Sequence, residues 1–549
     1  MKKTSRYIIV AFIASSLVLV GFKYEDRYFE IAKNLDIFAT LFKELNALYV
    51  DEINPNKAMR TSITAMLKEL DPYTNFYPED DIEDYRTMAT GKYNGIGATI
   101  STIYDEHTVV MIYEGSPADK AGLKIGDVVT HINDVSLSGR DSEQLGRLLK
   151  GQTDTEASLS IRRYGKDKPI DFKVKRSVVK TPNVPHYGLI NKEVGYLQLS
   201  DFSATAAAEI KNAFAEMKED GMKQLVLDLR SNPGGLLNMA IDICNFFVPK
   251  GELIVETKGK VGQWNKQYNA RFNPIDMEMP IVVLINSGSA SASEIVSGTL
   301  QDYDRGVIIG QRSFGKGLVQ TTRPLSFNTQ LKVTTAKYYI PSGRCIQAID
   351  YSHRNADGSV GKVPDSLKST FYTKNGRPVF DGGGVNPDIH LEPKVLSELA
   401  KQLISEGVIF DYATSYYFSH ENDMPTESFI ISDEVYTSFL GFVKKSGFSY
   451  RNEAEDALSE LESLADNEHA YASLSGALRP LRTLVNKKNA SDLFTFKEQI
   501  KNELALEILS RYHYDKVMKF VSFEKDQEVQ EALKLFRDMD RYNAILKGK

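Results

Sequence analysis

The stretch Pro280-Ile281-Val282-Val283-Leu284-Ile285-Asn286-Ser287-Gly288-Ser289-Ala290-Ser291-Ala292-Ser293-Glu294 decides the fold class. Its first six residues are apolar and mostly β-branched, the pattern of a strand buried on both faces. From Glu294 onward, Ile295-Val296-Ser297-Gly298-Thr299-Leu300 opens a helical pattern, with serines available as N-caps. A strand that passes through small residues straight into a helix is half of a βα unit. Similar units lie on both sides. Gly195 to Leu199 reads as a strand and Ala204 to Glu219 as a helix. Gln224 to Arg230 reads as a buried strand that ends in Ser231-Asn232-Pro233-Gly234-Gly235, after which Leu236 to Phe247 is helical. Gly306 to Gly310 is a further strand. This alternation predicts an α/β core over 177–393, with a polar, glycine-containing surface insertion or hairpin at about 349–384. At the serine-rich junction a hydroxyl can be exposed, and the first N–H groups of the helix can stabilise an oxyanion beside it. Chemistry alone does not choose among Ser287, Ser289, Ser291 and Ser293.

The rest of the chain has a different texture. A length of 549 residues accommodates several domains, each with its own core. Lys2, Lys3 and Arg6 precede an apolar run from Ile8 to Phe22. Residues 1–23 therefore read as a secretory signal or retained anchor, which predicts export to the periplasm or cell envelope, with possible attachment to the inner membrane. The run lacks an A-x-A cleavage site and is short for a spanning helix. Residues 24–88 read as helical: Phe29, Ala32, Leu35, Phe38, Phe42 and Leu45 recur at helical spacing, a second pattern covers Asn56 to Leu70, and Asp71-Pro72-Tyr73-Thr74 breaks it. Residues 394–549 read as a helical domain whose aromatic stripe, Tyr412, Tyr416 and Tyr417, suits a core. A net charge of −6 gives no general basic surface, so nucleic acid is not an expected partner. Two cysteines, Cys244 and Cys345, exclude a disulfide framework and a CxxC zinc site; they could pair on export, two buried thiols being the simpler reading. None of the eight histidines has a metal-ligand spacing, so no metal and no cofactor is expected.

Residues 89–176 carry short strands and turns. Val109 to Tyr113 is followed by Gly115-Ser116-Pro117-Ala118, then Ala121-Gly122-Leu123, Gly126-Asp127 and Ile132-Asn133. This series resembles the second half of the PDZ domain of bacterial proteases. Gly95-Ile96-Gly97-Ala98 matches the carboxylate-binding loop of that family. Glycines there let successive N–H groups turn inward around a terminal carboxylate, and the following strand, Ala98 to Thr102, would pair with a bound tail by β-augmentation.

Three segments of the α/β region look built for chemistry. They are the serine cluster, Asn232-Pro233-Gly234-Gly235, and Arg312-Ser313-Phe314-Gly315-Lys316-Gly317-Leu318-Val319-Gln320, which holds a lysine between two glycines. Together with Tyr339-Ile340-Pro341-Ser342-Gly343-Arg344 and Asn386-Pro387-Asp388-Ile389 they resemble the carboxyl-terminal processing (tail-specific) serine peptidases. The resemblance spans about 30 to 393 and implies a crotonase/ClpP-like αβ peptidase core with an inserted PDZ domain. It implies Ser291 as nucleophile, and Lys316, 25 residues later, as general base. It also implies Gln320 as the residue that orients the lysine. The amide of Ala292 and the Gly234-Gly235 turn would form the oxyanion hole. A lysine acts as a base only when neutral, so its reference pKa of about 10.4 must fall, as burial makes it do. Gln320 reaches Lys316 only if the segment between them coils, because four residues of extended strand span roughly 13 Å. Asp302 also matches a family position. Eleven helical residues separate it from Ser291 by roughly 16 Å, which makes its role structural or indirect. The activity implied is serine endopeptidase cleavage of exported proteins near their carboxyl termini, with the PDZ domain holding a free, apolar tail, and a homo-oligomer as the assembly. Two rival readings are a PDZ-containing envelope adaptor or chaperone without activity and a crotonase-like acyl-CoA enzyme that shares only the fold. The intact Ser291, Lys316 and Gln320 argue against the first, the PDZ domain and export signal against the second.

Overall fold

The structure is a computed structural model that describes residues 28–82, 90–355, 357–421, 423, 425, 429–467, 471–513 and 522–549. The amino-terminal apolar run thus lies outside the described residues. Among the described residues no helix is long and apolar enough to cross a membrane. The chain divides into two compact units, Met1–Pro78 with Thr322–Val333, and Glu79–Thr321 with Thr334–Lys549.

The first unit holds a helix over 28–48 and a second, Pro55–Lys68, which Asn54 caps by accepting from the Lys57 amide at 3.0 Å. The helical pattern ends ahead of Asp71, at the predicted break. That carboxylate accepts from the amides of Tyr73 and Thr74, turns the chain, and Asn75–Tyr77 becomes a strand paired antiparallel with Gln330–Lys332. The apolar stripe of the first helix is open to solvent, with Phe29 66% and Leu35 64% exposed.

In the second unit the central sheet has six strands, in the order His186–Leu189, Val194–Gln198, Gln224–Asp228, Ile281–Ile285, Val307–Gly310 and Ile389–His390. The first pair is antiparallel and the others are parallel. From the second strand to the fifth, spatial order follows chain order. Right-handed crossovers therefore put all three connecting helices, Ala206–Glu219, Leu237–Asn245 and Ala292–Asp302, on one face. There they bury Leu197, Leu227, Val283 and Ile308 in the main core. The alternate residues Tyr196, Val226, Val282, Leu284, Val307 and Ile309 point to the other face, as strand pleating requires.

The last part of the 394–549 region covers that second face. Helices Gln527–Arg537 and Met539–Leu546, with Phe523 ahead of them, pack on it. Phe523 lies 4.4 Å from the Tyr196 ring, centroid to centroid, and the Tyr542 hydroxyl accepts from the Ile281 amide at 3.0 Å. Burying a side chain such as Phe536 contributes about 2–3 kcal/mol, so a sheet this apolar would not be stable uncovered. The helices Glu398–Ser405, Val408–Ser419, Asp433–Ser446 and Lys497–Leu509 share a separate core that includes Tyr412, and Tyr417 is buried nearby.

The PDZ region is a sheet ordered Ala98–Ile103, Glu106–Ile112, Val128–Ile132, Glu156–Arg162 and Ile170–Lys175, closed over Ile96, Val109, Leu123, Leu145 and Leu159. The incoming strand Lys92–Gly95 pairs antiparallel with the outgoing Ser177–Lys180, which gathers the domain's two connections into one ribbon. This region also packs on the helical domain. The Tyr164 hydroxyl accepts from Ser415 Oγ at 2.8 Å, and a Cβ on Gly126 would stand 2.4 Å from the Thr414 methyl. The insertion at 349–384 forms two hairpins, Ile349–Arg354 with Val360–Lys362 and Thr370–Tyr372 with Pro378–Phe380. Cys244 is buried, Cys345 half-buried, and both are free thiols.

Candidate active site

Three strand ends meet on one edge of the core: the loop after Gln224–Asp228, the serine junction after Ile281–Ile285, and the lysine loop after Val307–Gly310. Parallel strands send all their carboxyl ends to the same edge, where open α/β sheets carry their sites. The helix starts at Ala292, two residues before the sequence pattern suggests, and Ser291 is its N-cap residue.

The structure separates the four serines. Ser289 is fully buried and its hydroxyl donates to the Leu229 carbonyl at 2.8 Å. Ser293 is fully buried and donates to the Asn232 carbonyl at 2.9 Å. Both hydroxyls are thus committed to fastening the junction onto the 229–232 loop, and Ser287 is exposed. Ser291 is half-buried and has φ +54° and ψ −111°, a backbone conformation that costs an L-residue about 1–3 kcal/mol. Strain of this kind persists where the surroundings over-determine it, and here they do.

Glu294 does most of that. Its carboxylate is fully buried and accepts four hydrogen bonds: from the Ser291 amide at 2.8 Å, the Lys316 amide at 2.8 Å, the Gly315 amide at 2.7 Å and the Ser313 hydroxyl at 2.5 Å. Burial pushes its pKa up to about 7, against the pull of those donors. One oxygen, Oε2, takes both the Ser291 and Lys316 amides. The hydroxyl of Tyr338, also buried, lies 2.7 Å from the Lys316 carbonyl, to which it donates, and 3.1 Å from the Ser291 carbonyl. The backbones of Ser291 and Lys316 are therefore bridged twice, by an acceptor and by a donor. Sequence reading missed both bridges. The Ser-x-x-Glu spacing of a capping box was the available signal for Glu294.

The two glycines around Lys316 have packing reasons. A Cβ on Gly315, which has φ +89°, would stand 2.4 Å from the Ala348 Cβ, and one on Gly317 2.8 Å from the Gln347 nitrogen. Residues 312–317 are irregular and strand begins at Leu318, so of the segment between Lys316 and Gln320 only Gly317 is outside the strand. The Gln320 side-chain amide donates to the Thr334 hydroxyl at 3.2 Å. Lys316 itself is half-buried.

Gly234 and Gly235 serve differently from one another. A Cβ on Gly234 would stand 2.8 Å from both the Ala292 nitrogen and the Ser291 Cβ, so only glycine fits there, at φ +95°. Its own N–H, however, donates to Asn232 Oδ1 at 2.9 Å. In this conformation it is not an oxyanion donor, contrary to the sequence-based expectation, because the Asn232 side chain folds back to close the turn. Gly235 packs on Phe202, where a Cβ would meet the Phe202 carbonyl oxygen at 2.7 Å. Ala292 is the first helical residue, so its amide has no intrahelical acceptor and faces this turn.

Asp302 ends the same helix, buried, holding Arg344 Nη2 at 2.9 Å and the Ser342 amide at 2.9 Å. It anchors the 340–344 turn.

In the PDZ region, Gly95 ends a strand and Ala98 begins one, while Ile96 is buried and Gly97 turns at φ +76°. The Gly97 carbonyl accepts from the Tyr113 amide and the Ser116 hydroxyl, each at 3.0 Å. Ala98–Ile103 is the end strand of its sheet, paired on one side with Glu106–Ile112.

Comparison with known proteins agrees with this layout. Residues 193–354 match the model of peptidase family S41, residues 108–163 that of the PDZ domain, and residues 399–536 that of a probable PDZ-protease C-terminal helical domain. The carboxy-terminal-processing protease of Bartonella bacilliformis is 36% identical over 358 residues, which cover 64% of this chain and 81% of that one. A probable CtpA-like serine protease of Staphylococcus aureus is 33% identical over 345 residues, 62% of this chain and 68% of that protein. Among solved structures, a photosystem II D1 C-terminal processing protease aligns over 66% of this chain and 93% of its own at 26% identity, with a TM-score of 0.34. A serine at a strained strand-to-helix junction, a glycine-bound lysine loop and a PDZ domain ahead of them thus meet in a chain that belongs to peptidase family S41, among its PDZ-containing carboxy-terminal-processing serine proteases.

Proposed function

We propose that Ser291 is the nucleophile and Lys316 its general base, in an endopeptidase that cleaves exported proteins near carboxyl termini held by the PDZ region. The observation that carries this is the shared Glu294 oxygen, which ties the Ser291 and Lys316 amides to one buried point. Lys316 takes the Ser291 proton as the hydroxyl attacks the peptide carbonyl. The tetrahedral oxyanion meets the Ala292 amide, with Gly235 as second donor and Gly234 leaving room for the substrate. Collapse expels the amine with the proton from Lys316, and water then resolves the acyl-enzyme by the same route. Gln320 holds the lysine in position. Asp302 supports the fold of the site and takes no chemical part. In the PDZ region, Gly95, Ile96, Gly97 and Ala98 receive the tail carboxylate, and the open edge of Ala98–Ile103 receives the tail itself.

The domain reading behind this is a leader or anchor over 1–23, a helical region over 24–88, a PDZ domain over 89–176 and a peptidase core over 177–393. The helical domain spans 394–549, and its last segment, from Phe523, packs on the sheet of the core. Export to the cell envelope follows from the basic and apolar amino terminus. The exposed stripe of Phe29 and Leu35 supports self-association through the first helix.

Cleavage of a fluorogenic peptide by the wild type, Ser291→Ala and Lys316→Ala tests the mechanism. Each variant is expected to lose at least about a thousandfold in kcat while still binding a tail peptide. Undiminished cleavage by either overturns the assignment. Absence of cleavage in all three, with binding retained, supports the adaptor.

A further inference from the structure

The far end of the PDZ edge strand has a neighbour. At Ile103 and Tyr104 it runs into the helical domain. Gly407, which turns at φ +71° between two helices, packs so closely that a Cβ there would stand 2.8 Å from the Ile103 side chain and 3.4 Å from the Tyr104 ring. Between the two domains lies a cavity of about 270 Å³. Its apolar walls include Ile103, Tyr104, Ile404 and Phe410, and its polar groups include the carboxyl groups of Glu406, Glu503 and Glu507. Among the described residues no lysine, arginine or histidine lines it.

The charges around it are predominantly negative. The Tyr104 hydroxyl is pushed up by burial and then by the neighbouring charges of Asp411 and Glu406. Burial pushes up the Asp411 carboxyl, to about 6, with Arg511 opposing and Glu106 adding to the rise. Glu503 is pushed up by burial, with Lys394 opposing and Glu507 adding. The buried cation nearby, Arg511, is paired with Glu507 and lies over the Phe410 ring at 4.4 Å. Aromatic walls with surplus carboxylates suit a lysine or arginine, whose stem lies on apolar surface while its head meets the charge.

Geometry connects this cavity to the substrate. This step rests on the tail-binding reading given above. If the tail carboxylate sits at Gly95–Ala98, at the start of the edge strand, a tail laid along that strand must run antiparallel to it. Upstream tail residues then advance toward Ile103. At about 3.3 Å per residue the strand spans roughly 17 Å, so the tail residue beside Ile103 is about the sixth from the carboxyl end.

We propose that this cleft between the PDZ and helical domains is a second substrate subsite, which selects a basic side chain about six residues before the carboxyl terminus. The helical domain thereby reads the tail that the PDZ domain holds.

The test uses the full chain carrying Ser291→Ala and fluorescent decapeptides that share one apolar carboxyl-terminal sequence. They differ in lysine, alanine or glutamate at the sixth position from the end, and binding is read by anisotropy. Lysine is expected to bind about tenfold tighter than glutamate at low salt, with the gap narrowing as salt rises. The double variant Glu406→Gln/Glu503→Gln should reduce that preference to within about twofold, leaving the alanine peptide's affinity unchanged. Moving the lysine to the third position should forfeit the gain. Equal affinities for the lysine and glutamate peptides, with carboxyl-terminal amidation still abolishing binding, would overturn the subsite and leave the tail reading intact. Binding indifferent to amidation would refute the tail reading, and the subsite with it.

Discussion

The serine–lysine junction and the PDZ edge are both places where this chain is read as meeting substrate, and they are built on opposite principles. At the junction nearly every polar group around Ser291 is buried and already paired: Glu294 accepts four donors, Ser289 and Ser293 grip the 229–232 loop, and Tyr338 spans two carbonyls. At the edge, recognition is left to an open row of backbone groups and one left-handed glycine. On this reading the first design would fix atoms for a reaction, whereas the second would leave pairing capacity for a partner that varies in sequence. Changes at the junction should therefore register in kcat, and changes at the edge in KM.

Replacing Glu294 by glutamine presses hardest on that contrast. An amide presents a donor where four donors converge, so kcat is expected to fall about a hundredfold, with KM within about twofold. A matching rise in KM, measured on a tail-bearing fluorogenic peptide, would mean that the junction and the edge are not separable. Next in size is Gly97→Ala. The added methyl would meet the Ser116 Cβ at 2.4 Å and strain a φ of +76°, so KM should rise about tenfold with kcat retained. Tyr338→Phe removes the donor of the second bridge at nearly constant volume and should cost about fivefold in kcat with the thermal midpoint little changed. Unaltered kcat would leave Glu294 as the sole tie.

The pH profile gives the smallest and most specific signal. Catalysis on this reading needs Lys316 neutral and Glu294 ionised, so both requirements make the rate rise with pH. Below about pH 7, where Glu294 takes up its proton, the limiting slope of log kcat/KM against pH should steepen from about one toward about two. A slope of one throughout would show that Glu294 stays ionised. Stability should move the other way over part of the same range. The folded-state pKa of Glu294 is raised from 4.5 to about 7, so between those values the native state holds the proton more strongly than the unfolded chain, and stability falls as pH rises.

How much of this was legible in the sequence depends on distance along the chain. The βα alternation around Ile281–Ile285, the PDZ strands and the glycine-bound lysine were readable because periodicity and turn chemistry are local. Helical rise alone sets Asp302 about three turns from Ser291, whereas its bonds to Arg344 and the Ser342 amide come from a turn far along the chain. The cover at Phe523–Leu546 was not readable. Its amphipathic pattern says that one face is buried, but nothing in it says that the partner is a sheet more than two hundred residues earlier. Glu294 was half legible: the capping-box spacing points back to Ser291, whereas its bonds to Ser313, Gly315 and Lys316 depend on a loop brought in by the next strand. Gly234 failed for a finer reason. Its missing side chain is needed, as expected, but Asn232 takes the amide that the oxyanion reading assigned to substrate.

The covering segment also has a consequence for how this protein comes into being. Arg230, which follows the strand leading to the Asn232–Gly235 turn, is held by Asp228 and also by Asp526 and Glu528 of that segment, at 2.8 and 3.3 Å. During synthesis the sheet strands emerge first and the whole helical domain follows before these carboxylates appear. Until then one face of the sheet is bare and the arginine beside the turn lacks two of its three acidic partners. A ribosome-bound chain would thus carry the proposed serine and lysine in an unfinished frame, and the protease would mature only after these covering helices have been made.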